Sequence, residues 1–181
     1  VDEVFTTRAL QDLAKQLQSS DSLEQLLDSI LAGLDRIFGF SHSMILLPSE
    51  QPGVLVTIAS HGYSAGGVGS EAHVGEGIAG LVAEARKPIR ISGLMHGMLY
   101  AQAVRARALE AGLCQESHRI AMPGLAQPES QLGVPLLVRR ELVGVLCIES
   151  VVPYRFHESD KTAVELLGSY LAIAIQNMLW R

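Results

Sequence analysis

The stretch SQLGVPLLVRRELVGVLCIES, from Ser130 to Ser150, reads as two strands joined by a tight turn. In the first, about Gln131–Val138, Leu132, Val134, Leu136 and Val138 alternate onto one face and Pro135 falls on the other. The second, about Leu142–Glu149, is apolar almost throughout. Arg139, Arg140 and Glu141 are the only charges between them, placed where a hairpin needs polar residues. A continuous apolar run with β-branched residues suits a strand covered on both faces. Pro135 has no N–H to give to a ladder, so its N side must meet an edge or a bulge. The hairpin is therefore expected in the middle of a sheet with helices packed against it.

Upstream, Val4, Phe5, Ala9, Leu13 and Leu17 recur at helical spacing, which predicts an amphipathic helix over residues 2–18. Asp21 stands three residues before Glu24 in a capping-box arrangement, and a second helix is expected to run to about Phe38, ended by Gly39. Its inward positions are Leu23, Leu26, Leu27, Ile30, Leu34 and Ile37. Ser43–Pro48 and Val54–Ser60 are expected strands around a Pro-Gly turn. The glycine-rich stretch from His61 to Gly75 reads as a loop, followed by a short helix Gly77–Arg86 and a short strand Ile89–Ile91. Helical spacing returns from His96 to Ala111, and residues 112–129 read as loop. After the hairpin, Glu158–Trp180 is the longest helix, with Val164, Leu167, Leu171, Ala174, Ile175 and Met178 along one face. Hairpins at both ends of a sheet, with helices before, between and after, make an α+β fold. The expectation is a central antiparallel sheet of about five to six strands, with the terminal helices together on one face.

A chain of 181 residues, 48% hydrophobic and 18% charged, is long enough for one domain with a real core. The net charge of −5 argues against a non-specific nucleic-acid surface. Cys114 and Cys147 form neither a metal-spacing motif nor a disulfide framework, so a reducing cytoplasm is the expected location. No uninterrupted apolar run reaches the roughly 20 residues of a membrane span. The chain starts without Met and ends inside a helical pattern, so a piece of a longer protein is expected.

The order of elements, together with Val74-Gly75-Glu76-Gly77-Ile78-Ala79-Gly80-Leu81-Val82, Lys87-Pro88-Ile89, Ser130 to Leu136 and Leu142 to Ser150, resembles the GAF domain family of small-molecule sensor modules. Phe156, Asp160 and the helix after them close the match, which spans about Ser22 to Met178. The resemblance implies a ligand pocket on the sheet face opposite the terminal helices and a homodimer built through those helices. It implies an N-terminal signalling helix at residues 1–20, a sensory domain at 21–181 and an output domain in the same polypeptide. It names no cofactor: a small-molecule ligand is expected, with haem and a cyclic nucleotide left open. Residues 92–129, longer than the family's usual segment, would enlarge the pocket lid. Lys161 stands where the cyclic-nucleotide-binding members have an acidic residue, so that ligand is not favoured.

The polar residues expected to face the cavity are Ser60, Tyr63, Ser92, His96, Tyr100, His118, Ser130 and Gln131. Of the six histidines, His42, His61, His73, His96, His118 and His157, none pair at i, i+4 on a helix, so no local metal site is written. A single one near the pocket mouth could serve as an axial haem ligand, although solvated loop histidines are commoner. Free methionine sulfoxide reductases share the fold and need a nucleophilic thiolate plus a resolving thiol in pocket loops. Only Cys114 lies in such a loop, and Cys147 is mid-strand, so a binding domain without catalysis is expected. Gly75 to Gly80 spells G-x-G-x-x-G with no acidic partner at the usual distance. A tight turn that lets a short helix lie against the sheet is the preferred reading, with a possible anion seat at its start.

Overall fold

The computed structural model describes residues 22–93 and 123–179, with Thr7, Arg8, Gln11, Asp12 and Lys15 as isolated positions that are helical and exposed. Helix α1, Leu23–Phe38, starts at Ser22, whose side chain accepts from the Gln25 N–H. The cap is therefore Ser22 rather than Asp21. Gly39 ends the helix with φ 68°, a left-handed conformation that glycine adopts without steric penalty.

Six strands follow: β1 His42–Pro48, β2 Val54–His61, β3 Glu71–His73, β4 Ile89–Ser92, β5 Ser130–Val138 and β6 Glu141–Ser150. They form one sheet in the order β3-β2-β1-β6-β5-β4, and every pairing is antiparallel. The β5–β6 hairpin occupies the middle, as its apolar pattern requires. β4 pairs with β5 only as far as Gly133, which leaves that side of β5 open at Pro135. β3 is an edge strand inside the stretch read from sequence as a glycine-rich loop. It is too short and polar to show a period of two.

The sheet divides the core into two layers. On one face, Ile45, Leu47, Leu132, Val134, Leu136, Leu146 and Ile148 pack against α1 and the last helix, α3, Glu158–Leu179. On the other, Met44, Leu46, Leu55, Val145 and Cys147 pack against α2, Gly77–Ala85, through Ala79, Val82 and Ala83. α2 approaches β5 so closely that a Cβ on Gly133 would lie 2.6 Å from a Val82 methyl.

α3 is long and apolar enough, by length and mean hydropathy, to cross a membrane. Its Ala163, Val164, Leu167, Leu171, Ala172 and Ile175 are instead buried in the domain, the position of a core helix. Asp160 accepts from the His157 N–H at 2.7 Å and so caps its start, while Phe156 is buried beside Phe40. Both residues are thus engaged in holding the start of α3. Arg155 ties the two terminal helices together. It donates to the Phe38 carbonyl at 2.7 Å and lies 5.0 Å over the Phe40 ring.

Candidate functional site

Strand alternation decides which polar residues can share a face. Met44, Val145 and Cys147 belong to the α2 side. Residues two positions along each strand belong there too, namely His42 on β1 and Glu149 on β6. Register places them in one row across the sheet: His42 opposite Glu149, Glu149 opposite Gln131, and Gln131 opposite Ile91. The row depends on a bulge between Leu136 and Leu137. Without it, the two-residue turn at Arg139-Arg140 would pair Gln131 with Ile148, and Glu149 would fall on the helix side.

Glu149 is only 6% exposed. Its Oε1 accepts from Gln131 Nε2 at 2.6 Å, and its Oε2 accepts from Tyr63 OH at 3.2 Å and from the Leu125 N–H at 2.9 Å. The Tyr63 ring lies 5.5 Å from that of His42. Two loops meet beside this cluster, for a Cβ on Gly67 would lie 2.6 Å from Pro123. All three donors to Glu149 are neutral, so the carboxylate is held by hydrogen bonds rather than by an ion pair. A buried carboxylate on such a floor can receive a cationic or hydrogen-bond-donating group from a ligand.

Two expected site residues, Tyr63 and Gln131, are brought together here. Ser60 is on the same face, paired with Met44, and its hydroxyl donates to the Gly66 carbonyl, holding the loop rather than opening to a cavity. Ser92 and Ser130 are corrections. They pair with each other in register with the helix-side residues Arg90 and Leu132, so they lie on the wrong face. Ser130 is fully buried; it donates to the Val152 carbonyl at 2.8 Å and accepts from the Arg155 N–H at 3.2 Å. Its role is to fasten the loop leading into α3. His96, Tyr100 and His118, with Cys114 and most of the expected lid, lie outside the described residues. Sequence reasoning missed Glu149, which read as the polar end of an apolar strand, and His42.

The α2 entrance offers less to an anion than its sequence suggests. The Gly75 N–H is bonded to the Gly80 carbonyl and the Glu76 N–H to that of His73. Among the described residues no group of three or more His, Cys, Asp or Glu is placed to share a metal ion. His61 bonds Asp35 of α1 at 3.0 Å on the helix side.

Burial, and then the nearby Glu149 charge, push the Cys147 thiol far above its ordinary range. Burial likewise raises Tyr63, with Glu149 adding to it. Both groups are held neutral by folding, so their contribution is complete below their unfolded values and is lost as pH rises. A thiol ionises near 8.5 and a phenol near 10 in an unfolded chain. Thermal stability should therefore fall above about pH 8.5, with Cys147 contributing up to about 1.4 kcal/mol per further pH unit. Melting curves from pH 7 to about 10.5 test this. Cys147→Ala should flatten the decline, and an equal slope in both proteins would reject it.

A separate groove of about 580 Å³ lies at the other end of the sheet, lined by Leu47, Val56, Ile58, Leu142, Val143 and Leu179 among others. It is apolar in character and remote from the Glu149 row.

A profile of the GAF domain family matches residues 20–176. No curated protein sequence matches the chain. Among solved structures it is similar to the GAF domain of a phosphoenolpyruvate-protein phosphotransferase from Acinetobacter, at 22% identity and a TM-score of 0.76, covering 99% of this chain and 97% of that one. A second GAF domain of such an enzyme, from Coxiella burnetii, gives 20% identity and a TM-score of 0.75 over 99% and 98% of the two chains. The free methionine-R-sulfoxide reductase of Neisseria meningitidis, solved with its substrate, gives 16% and 0.74 over 99% and 95%. These likenesses, all below 25% identity, concern the fold, and with the match of the family profile over most of the chain they lead to one conclusion: the chain belongs to the GAF domain family.

Proposed function

We propose that this chain is a regulatory sensor. It binds a small molecule over the Glu149 row and passes the change through α1 and α3 to an output domain, without catalysing a reaction itself. The observation that carries the reading is the buried carboxylate on the face opposite the terminal helices. Gln131 bonds Glu149, and the next residue, Ser130, fastens the Val152–Arg155 loop from which α3 starts. A ligand that draws on Glu149 and Gln131 would thus bear on α3 within a few residues. It would act by favouring one of two helix arrangements. Its expected chemistry is a compact molecule with a cationic or donor group. The reductase reading is disfavoured because Cys147 is buried with its thiolate suppressed. Native mass spectrometry and an absorption spectrum of freshly purified protein test the proposal. A retained small molecule, lost in Glu149→Ala, supports it. Turnover of free methionine sulfoxide, abolished by Cys114→Ser, would replace it with the enzyme.

The sensor is further proposed to work as a homodimer. Leu166, Tyr170 and Ile173 of α3 are 46–51% exposed and form an apolar strip away from the buried one. Ile173→Glu should convert a dimer to a monomer in light scattering at micromolar concentration. It should leave the monomer's fold intact, because a half-exposed carboxylate is tolerated while one buried in an interface costs several kcal/mol. A wild-type monomer, or a dimer indifferent to the change, would reject this interface.

A further inference from the structure

We propose that the exposed cations Arg86, Lys87, Arg139 and Arg140 form a docking surface for an acidic protein segment. Two distant stretches bring them together: Arg86 and Lys87 follow α2, Arg139 and Arg140 make the β5–β6 turn, and Arg86 donates to the Arg140 carbonyl at 2.6 Å. Among the described residues none of the four is in an ion pair, although the chain carries a net charge of −5.

The backbone at these positions points the same way. Arg139 and Arg140 have φ of 50° and 71°, while the φ of 52° at Arg86 belongs to the left-handed cap of α2, its N–H bonded to the Val82 carbonyl. Two residues with positive φ in a two-residue hairpin make a turn for which Asn-Gly is the favoured pair. Side chains that keep an unfavourable conformation without a structural return are candidates for function. The negative end of the α2 dipole accounts for cations at Arg86 and Lys87 but not for the turn.

The surroundings select the partner. A cleft of about 250 Å³ adjoins Arg86, lined by Pro48, Pro52, Val54, Val74, Leu142 and Glu141 among others. A free oxyanion would meet only exposed side chains there and leave the apolar cleft empty, and exposed pairs taken singly are weak. A nucleic acid would meet four cations on a chain of net negative charge. A peptide segment with several carboxylates around one apolar side chain uses both the charges and the cleft. Glu141 lines this cleft, so the segment's carboxylates belong on the four cations outside it and only its apolar side chain enters. The surface lies at the end of the sheet where α3 finishes, since Glu141 and Leu142 share a groove with Gln176 and Leu179.

The test is the binding of a labelled glutamate-rich peptide with one central leucine to the 181-residue chain at low and physiological salt. Replacing Arg139 by Asn together with Arg140 by Gly installs the favoured turn. It should weaken binding by at least about tenfold while the melting temperature holds or rises. Lys87→Glu, which leaves the turn alone, should weaken it comparably. Overturning results are no peptide binding by the wild type at low salt, an unchanged Kd in the variants, or tighter binding of inorganic phosphate or of an oligonucleotide. If the turn variant melts lower, Lys87→Glu decides, and an unchanged Kd there rejects the surface.

Discussion

Replacing Glu149 by alanine is expected to lower the melting temperature of this domain by about 6–12 °C, the shift that about 3 kcal/mol produces in a chain of this size. The magnitude follows from the donors it would abandon. Tyr63 OH, Gln131 Nε2 and the Leu125 N–H all point at one carboxylate that is 6% exposed. Each buried donor left without an acceptor costs about 1 kcal/mol or more, and the Leu125 N–H has no rotamer by which to seek another. Glu149→Gln should behave differently. Its carbonyl oxygen can keep Tyr63 and Leu125, and its amide can donate to Gln131 once that amide flips, so a loss of about 1 kcal/mol is expected. Gln131→Glu would set a second carboxylate beside the first and should fall between the two, with a strong pH dependence. Thermal melts of the three variants at neutral pH check the order. A Glu149→Ala protein that melts within about 2 °C of its parent would show that the cluster is open to water, and the proposed site would fail with it.

How much of this was legible in the sequence can be argued from the same hairpin. Apolar alternation and two turn signals place β5 and β6 within one residue of where they stand, and the long apolar run of β6 foretells burial on both faces. The expectation that Ser130 and Gln131 both face the cavity conflicts with a period of two: neighbours on a strand point to opposite sides. Glu149 is another matter. A hairpin with a two-residue turn and no irregularity would align Gln131 with Ile148 and send Glu149 to the helix side. The bulge at Leu136/Leu137 corrects the register by one residue, and a bulge at Ile45/Leu46 adjusts β2 in the same way. Neither leaves a composition signal that separates it from ordinary strand. Gly144 hints at the first, for a Cβ there would lie 2.7 Å from the Leu46 carbonyl oxygen, yet a lone glycine in a strand has several readings. Helix α1 was more legible, because it carries its own stripe and its Gly39 stop, whereas the expected helix at 96–111 and most of that at 2–18 lie outside the described residues. Only the first cap moved, from Asp21 to Ser22.

The second large effect is expected at Gly80, and its sign is opposite to helix propensity. Gly80 lies inside α2, where alanine would ordinarily stabilise by about 0.5–1 kcal/mol. Here a Cβ would stand 2.0 Å from the His73 carbonyl oxygen and 3.0 Å from the Gly75 nitrogen. Neither can move away freely. The His73 carbonyl accepts from the Glu76 N–H at 3.0 Å, the Gly75 N–H donates to the Gly80 carbonyl at 3.0 Å, and β3 pins His73 opposite Val54. The obstacle is backbone, so no rotamer relieves it, and α2 would have to lift from the sheet. That would part Ala79, Val82 and Ala83 from Val145 and Cys147, the layer next to the Glu149 row. Gly80→Ala should therefore cost about 3 kcal/mol, the upper end for overpacking, and weaken any ligand held on that face. Gly77→Ala is the control: φ is 59° but nothing lies within 4 Å of its Cβ, so only local strain of about 1 kcal/mol is expected. This contrast gives the G-x-G-x-x-G spelling its physical content, with Gly75 and Gly77 turning the chain and Gly80 admitting the helix to the strand. Urea melts of the two variants decide it. Equal midpoints for Gly80→Ala and Gly77→Ala would mean that α2 is not seated by Gly80, and the close approach to β3 would have to be given up.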